Sequence, residues 1–260
     1  IETAYLLDEM DVEIIADGIH LPAPLLKLIY KIKGPDRIAL ITDSMRAAGM
    51  PPGDSILGSK HNGLKVLVVE NHKLPTVSYT LTMDNAPYAE GAKKGVSDMT
   101  SSMIGNGTKT ISKDAFNEEV DFLGANISFD ANGAFASGLS KYSTRIMELM
   151  ADGALNPLFT QEDFDAERAK LIEGLKSDEK SASAIAGRVQ NVLTYGKEHY
   201  NGEFTSEETL KNVTLQDVIN HYNTYFVPAN AYLVVIGDVK TKDVKKKVEQ
   251  LFGADVWKTA

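Results

Sequence analysis

No cysteine occurs among the 260 residues. Disulfides, thiolate metal sites and a cysteine nucleophile are excluded together, while cytoplasm and periplasm suit such a chain equally. Histidine is scarce too. His20, His61, His72, His199 and His221 are the only five, and no two lie three to five residues apart, so no helix can present a histidine pair to a metal. There is no surplus of base: 27 Lys and Arg stand against 36 Asp and Glu, a net charge of -9. Phosphate neutralisation needs clustered cations, so a nucleic-acid partner is not expected. The basic run from Lys240 to Lys247 reads as the solvated face of a helix. No apolar run approaches the roughly 20 residues that cross a bilayer, so no transmembrane segment is expected. No charged-then-apolar leader is visible, and the start at Ile1 reads as that of a fragment or processed product. A Gly-x-Ser-x-Gly elbow is missing, and Gly105-Asn106-Gly107-Thr108 lacks the lysine of a phosphate loop and reads as a turn.

What is present is ordinary globular material. With 43% apolar and 24% charged residues the chain can bury one large core or two modest ones. Its character changes near residue 60.

Residues 1 to 58 alternate strand and helix. Val12 to Ala16 is a short apolar strand ending in Asp17-Gly18-Ile19-His20, Ala23 to Ile32 is helical, and Arg37 to Ile41 is a second strand ending at Thr42-Asp43-Ser44. Strand, helix and strand of these lengths form a parallel unit of the α/β-barrel kind, where polar residues just past the strand ends do the chemistry. His20 and Asp43 hold those places. Spacing alone leaves two readings open: substrate contact and acid-base work, or a loop histidine and a turn cap.

Residues 61 to 260 have another rhythm. Asn62-Gly63 is a turn, and Lys65 to Glu70 and the alternation Val77, Tyr79, Leu81, Met83 make two half-buried strands. Residues 90 to 104 read as a helix. Ser112 opens another, with Phe116, Val120 and Leu123 on one face and Gly124 at its end. Ile127, Phe129 and Ala131 alternate as a strand running on toward Ser140. Helices follow over Ser143 to Leu155, Thr160 to Lys180 opened by a Thr160-x-x-Asp163 capping box, Ala182 to Tyr195, Ser206 to Asn212 and Thr214 to Tyr225. Tyr222, Tyr225 and Phe226 brace the corner before a strand over Ala231 to Gly237, and Val244, Val248 and Leu251 line a closing helix. The fold class is α+β, an antiparallel sheet covered by helices, preceded by a short α/β barrel-like fragment.

Two resemblances carry this further. The string EIIADGIHLPAPLLKLIYKIKGPDRIALITDSMRAAGMPPGDSILG resembles the late barrel strands of N-acetylglucosamine-6-phosphate deacetylases, metal-dependent amidohydrolases. It implies that His20 contacts substrate and Asp43 carries the proton. The family's metal ligands lie on earlier strands absent here, so deacetylase activity is not expected of this chain alone.

GLKVLVVENHKLPTVSYTLTM, GVSDMTSSMIGNGT, FLGANISFD, LNPLFTQEDFDAERAKLIEGLKS, EETLKNVTLQDVINHYNTYFVPANAYLVVIGDV and KKKVEQLFG resemble, in order, the insulinase or pitrilysin-type zinc peptidases over about residues 61 to 260. In that family a His-x-x-Glu-His run sits between the same Gly-Val and Met...Gly-Thr, and a later helix adds a glutamate. Here the histidine positions hold Asp98 and Ser102, the base position Ser101 and the distal position Gly174, with Glu173 beside it. No zinc or other cofactor is therefore expected, since zinc belongs to the active relatives. The resemblance implies a non-catalytic unit of a bacterial clamshell peptidase. Its partners would be peptide or unfolded polypeptide and a homologous catalytic subunit or second homologous unit. The alternatives are part of an N-acetylglucosamine-6-phosphate deacetylase, or a join of the two pieces near 58 to 65.

Overall fold

The computed structural model describes residues 12–15, 23–33, 38–41 and 63–257. They fall into two units divided between Gly53 and Asp54.

In the first unit β1 (Val12–Ile15) and β2 (Ile38–Ile41) pair in parallel, Val12 opposite Ile38, with α1 (Ala23–Lys33) between them in sequence. Four-residue apolar strands joined by a helix have this as their natural pairing, because parallel neighbours need a crossover. Closure of a barrel does not follow from one such unit.

The second unit is a five-stranded sheet with helices. β3 (Lys65–Glu70), β4 (Thr76–Met83), β5 (Asn126–Asp130), β6 (Gly133–Leu139) and β7 (Ala231–Gly237) lie in the order β3-β7-β4-β6-β5. Three pairings are antiparallel; the edge strand β3 runs parallel to β7. β7 is buried at alternate positions, Ala231, Leu233 and Val235, as period-two apolar patterning requires. The expected single strand from Ile127 toward Ser140 is a hairpin. Asp130 Oδ1 accepts from the Asn132 N–H at 2.7 Å, and Gly133 takes φ 154° where a Cβ would stand 1.9 Å from the Leu81 carbonyl oxygen. An alternating pattern on both sides of a tight turn looks continuous in sequence, which is why the break was hidden.

The helices are α2 (Val96–Met103), α3 (Lys113–Leu123), α4 (Ser143–Leu155), α5 (Gln161–Asp178), α6 (Ala182–Tyr195), α7 (Glu207–Asn212), α8 (Leu215–Tyr225) and α9 (Thr241–Phe252). Their ends follow the side chains. Ser112, Thr160, Ser181, Ser206 and Thr214 each accept a backbone N–H as N-caps, and Gly124 ends α3 in the left-handed region. Two clusters hold the unit together. The larger joins the sheet to α4 and α9 through Leu81, Leu233, Ile146, Leu149, Val244 and Phe252. The smaller joins α2 to its helical neighbours through Met99, Met103, Phe164, Leu210, Val213 and Val218. Of the three aromatics expected to brace the corner before β7, Tyr222 donates to the Ala154 carbonyl at 2.7 Å and stacks on Phe226, while Tyr225 stacks on Tyr88.

Candidate functional site

α2 is shorter than the helix expected over 90 to 104. A 3-10 turn, Gly91–Lys93, comes first, and Gly95 at φ 107° breaks the run before Val96. Gly95 has no side chain to cap the exposed amides, so an upstream acid does it. Glu90 Oε2 accepts from the N–H groups of Gly95 (2.8 Å) and Ser97 (3.3 Å), and Oε1 from Ser97 Oγ (2.7 Å) and Lys94 Nζ (2.9 Å). Glu203 serves the preceding turn, accepting from the N–H groups of Glu90 and Gly91, each at 2.9 Å, with Lys94 at 3.5 Å. Burial pushes the Glu90 carboxyl up, but the Ser97 and Lys94 hydrogen bonds outweigh it and the net direction is down. The motif frame drew no notice to this pair. An acid five residues ahead of a helix-starting glycine was the available signal, because carboxylates favour helix N-termini.

Met99, Thr100 and Met103 face inward, which leaves the other side of α2 to the residues in the ligand positions. Each is already engaged. Asp98 Oδ2 accepts from Thr205 Oγ1 at 2.9 Å. Ser101 Oγ accepts the Ala131 N–H at 2.9 Å, tying α2 to the β5–β6 turn. Ser102 Oγ donates to the Asp98 carbonyl at 3.0 Å, within the helix. Asn106 donates to the Ser102 carbonyl at 2.9 Å, reaches toward Glu167 on α5 at 3.5 Å, and accepts from Lys113 at 2.8 Å. Gly174 on α5 lies in the open, where an added Cβ would meet nothing within 4 Å.

A zinc ion fits this set poorly. Tetrahedral sites take imidazole, thiolate or carboxylate, and here one carboxylate stands with two hydroxyls and a glycine. Among the described residues no three of His, Asp and Glu converge as metal ligands. His20 and Asp43 lie outside the described residues.

His72 lies away from this helix, with Nδ1 2.6 Å from Asp238 and Nε2 3.4 Å from Glu70. These contacts, to Asp238 first, push its pKa up. His221 on α8 behaves oppositely. It is buried, Nε2 bonds Tyr88 Oη, Nδ1 has no protein partner, and burial pushes its pKa down. Above pH about 6.5 the ring is neutral in folded and unfolded chain alike, and the fold keeps its full stability. As pH falls below that value the unfolded chain takes up a proton that the folded chain resists, and stability drops. His72, with its pKa raised, gains stability over the same window, so the His221 effect is read as a difference: between pH 7 and pH 5 the unfolding midpoint of the unaltered chain should fall relative to that of His221→Phe.

The geometry can be set beside known proteins. Residues 65–203, more than half of the chain, match the model described as insulinase (peptidase family M16), and residues 212–254 match that of the peptidase M16 inactive domain. A probable zinc protease, PqqL, of Haemophilus influenzae is 21% identical over 207 residues, 74% of this chain and 22% of that protein. An N-acetylglucosamine-6-phosphate deacetylase of Lysinibacillus sphaericus is 46% identical over 55 residues, 21% of this chain and 14% of that enzyme. The crystal structure of a peptidase M16 inactive domain from Pseudomonas fluorescens superposes with a TM-score of 0.66 at 21% identity, covering 75% of this chain and 49% of that one. The chain thus spans about half of that structure and under a quarter of either curated relative.

Proposed function

This chain belongs to the insulinase family, peptidase family M16, and we propose that it is a non-catalytic unit of it, binding peptide or a partner subunit instead of cleaving. The observation that carries this is the use made of α2. Where active relatives hold metal and base, Asp98 and Ser101 make packing contacts to Thr205 and the Ala131 amide. A side chain committed as an acceptor to a backbone N–H is not available to activate water.

Peptide binding is supported by the edge of β5. Among the described residues β5 pairs only with β6, so its other side offers unpaired N–H and C=O groups to an extended segment. Backbone pairing of this kind is indifferent to loss of the metal ligands. A homologous catalytic subunit, or a second homologous unit, would supply the reaction.

Two measurements on the purified chain test this. Metal analysis should find well under one zinc per chain after dialysis, and a fluorogenic peptide pool should be cleaved no faster than in buffer. One tightly held zinc per chain together with chelator-sensitive cleavage would end the proposal. Ser101→Ala should also cost about 1–3 kcal/mol in chemical denaturation by stranding the Ala131 amide.

A second reading is favoured by the 46% identity to the Lysinibacillus deacetylase. In it His20 and Asp43 serve an amidohydrolase site completed by other chain. Acetate release from N-acetylglucosamine-6-phosphate, lost in Asp43→Asn, would support it.

A further inference from the structure

α6 leaves its apolar side uncovered among the described residues. None of its 14 residues is buried. Ile185, Val189 and Leu193, spaced one turn apart, form a ridge that is 46%, 51% and 80% exposed. A groove runs along each flank of that ridge. One, of about 710 Å³, is completed by Ala182, Ala186, Gln190 and Thr194; the other, of about 380 Å³, by Arg188, Val192, Lys197 and Phe204. A ridge at i, i+4, i+8 between two grooves is the surface that another helix packs against, ridges into grooves.

Charge narrows the occupant. The charged side chains lining the grooves are Arg188 and Lys197, both cationic, on a chain of net charge -9; Arg188 lies over the Phe204 ring and 3.6 Å from Asp178, so Lys197 is the less compensated of the two. Two copies of α6 packed antiparallel about a two-fold axis would set Arg188, at the middle of the helix, against its own counterpart. A fatty-acid-like ligand fits less well, because such sites enclose most of their ligand and these grooves lie along an open helix surface. We propose that α6 is a docking surface for an amphipathic helix of a partner polypeptide, apolar along one face and acidic at its flanks. This rests on the partner-binding reading only in taking the helix from another chain, and it does not involve the β5 edge.

The full chain can be titrated, by fluorescence anisotropy, into two labelled synthetic helices with the same leucine face, one flanked by glutamate and one by lysine. The glutamate helix should bind, and the lysine helix at least about tenfold more weakly. Leu193→Asp should weaken the glutamate helix by at least about tenfold without changing the circular dichroism, as expected at a highly exposed site. Arg188→Glu with Lys197→Glu should reverse the preference. Absence of binding, equal binding of the two helices, or binding indifferent to Leu193→Asp would overturn the proposal. So would displacement of the helix by oleate alone, or a dimer in sedimentation that Leu193→Asp abolishes. Zinc content and cleavage are not read in this assay, so its failure and that of the non-catalytic reading are separable.

Discussion

Replacing Glu90 by alanine is expected to remove about 3–5 kcal/mol of stability, the cost of breaking a buried charged network from one side. The carboxylate is 5% exposed and receives four hydrogen bonds, two from backbone amides, one from Ser97 and one from Lys94. Without it Lys94 keeps only Glu203 at 3.5 Å, and the amides that start α2 lose their acceptor. Urea denaturation should show the loss with an unchanged m-value, and Glu90→Gln should recover part of it by accepting from the amides without a charge. Acid should act at the same place. The folded carboxyl titrates below the unfolded value of about 4.3, so its contribution is full above that pH and is lost as pH falls through the folded value. That window lies below the one set by His221, and Glu90→Gln should remove the Glu90 share of the acid loss while leaving the His221 share in place.

Phe164→Ala is expected to cost a further 3–5 kcal/mol or so, the range for truncating a buried aromatic. Phe164 is 1% exposed and is the only buried residue of the 18 in α5. It sits in the helical cluster beside Met99, Met103 and Leu210, under the Arg168 guanidinium at 4.8 Å. Leu171, Ile172 and Leu175 pack only partly. The loss should therefore be uneven: amide exchange should accelerate first along α5 while β4 and β7 stay protected. Uniform acceleration across the sheet would show that the two clusters unfold as one.

Much of this architecture was legible from local chemistry. Ser112 and Gly124 bound α3 because a hydroxyl cap and a left-handed glycine act within one turn. Thr160 did the same for α5, although Asp163 returns its bond to the Thr160 hydroxyl and not to its amide. The β5–β6 turn was not legible, because it depends on a contact made at a distance, and the early break at Gly95 was only half so, because Glu90 is local but Glu203 is not. Gly133 is shaped by the Leu81 carbonyl, and the N-terminus of α2 by Glu90 together with Glu203, over a hundred residues away. The site divides along the same line. The identities at Asp98, Ser101, Ser102 and Gly174 were plain in the sequence. The partners that hold Asp98 and Ser101, Thr205 and Ala131, lie on other segments and leave no local mark, whereas Ser102 bonds within its own helix and Gly174 stands open.

The strand order also governs how this unit comes into being. β7 lies between β3 and β4, yet it follows them by more than 140 residues, and Lys65 waits for Tyr232. Until residues 231–237 have been synthesised, the two earliest strands lack the neighbour that joins them, and both expose pairing edges to other chains. At about 5–20 residues per second a ribosome holds the nascent unit in that condition for many seconds. Contacts so distant in sequence close slowly even in the finished chain. A product ending before Ala231 would keep most of the helices but lose the strand on which its sheet is assembled.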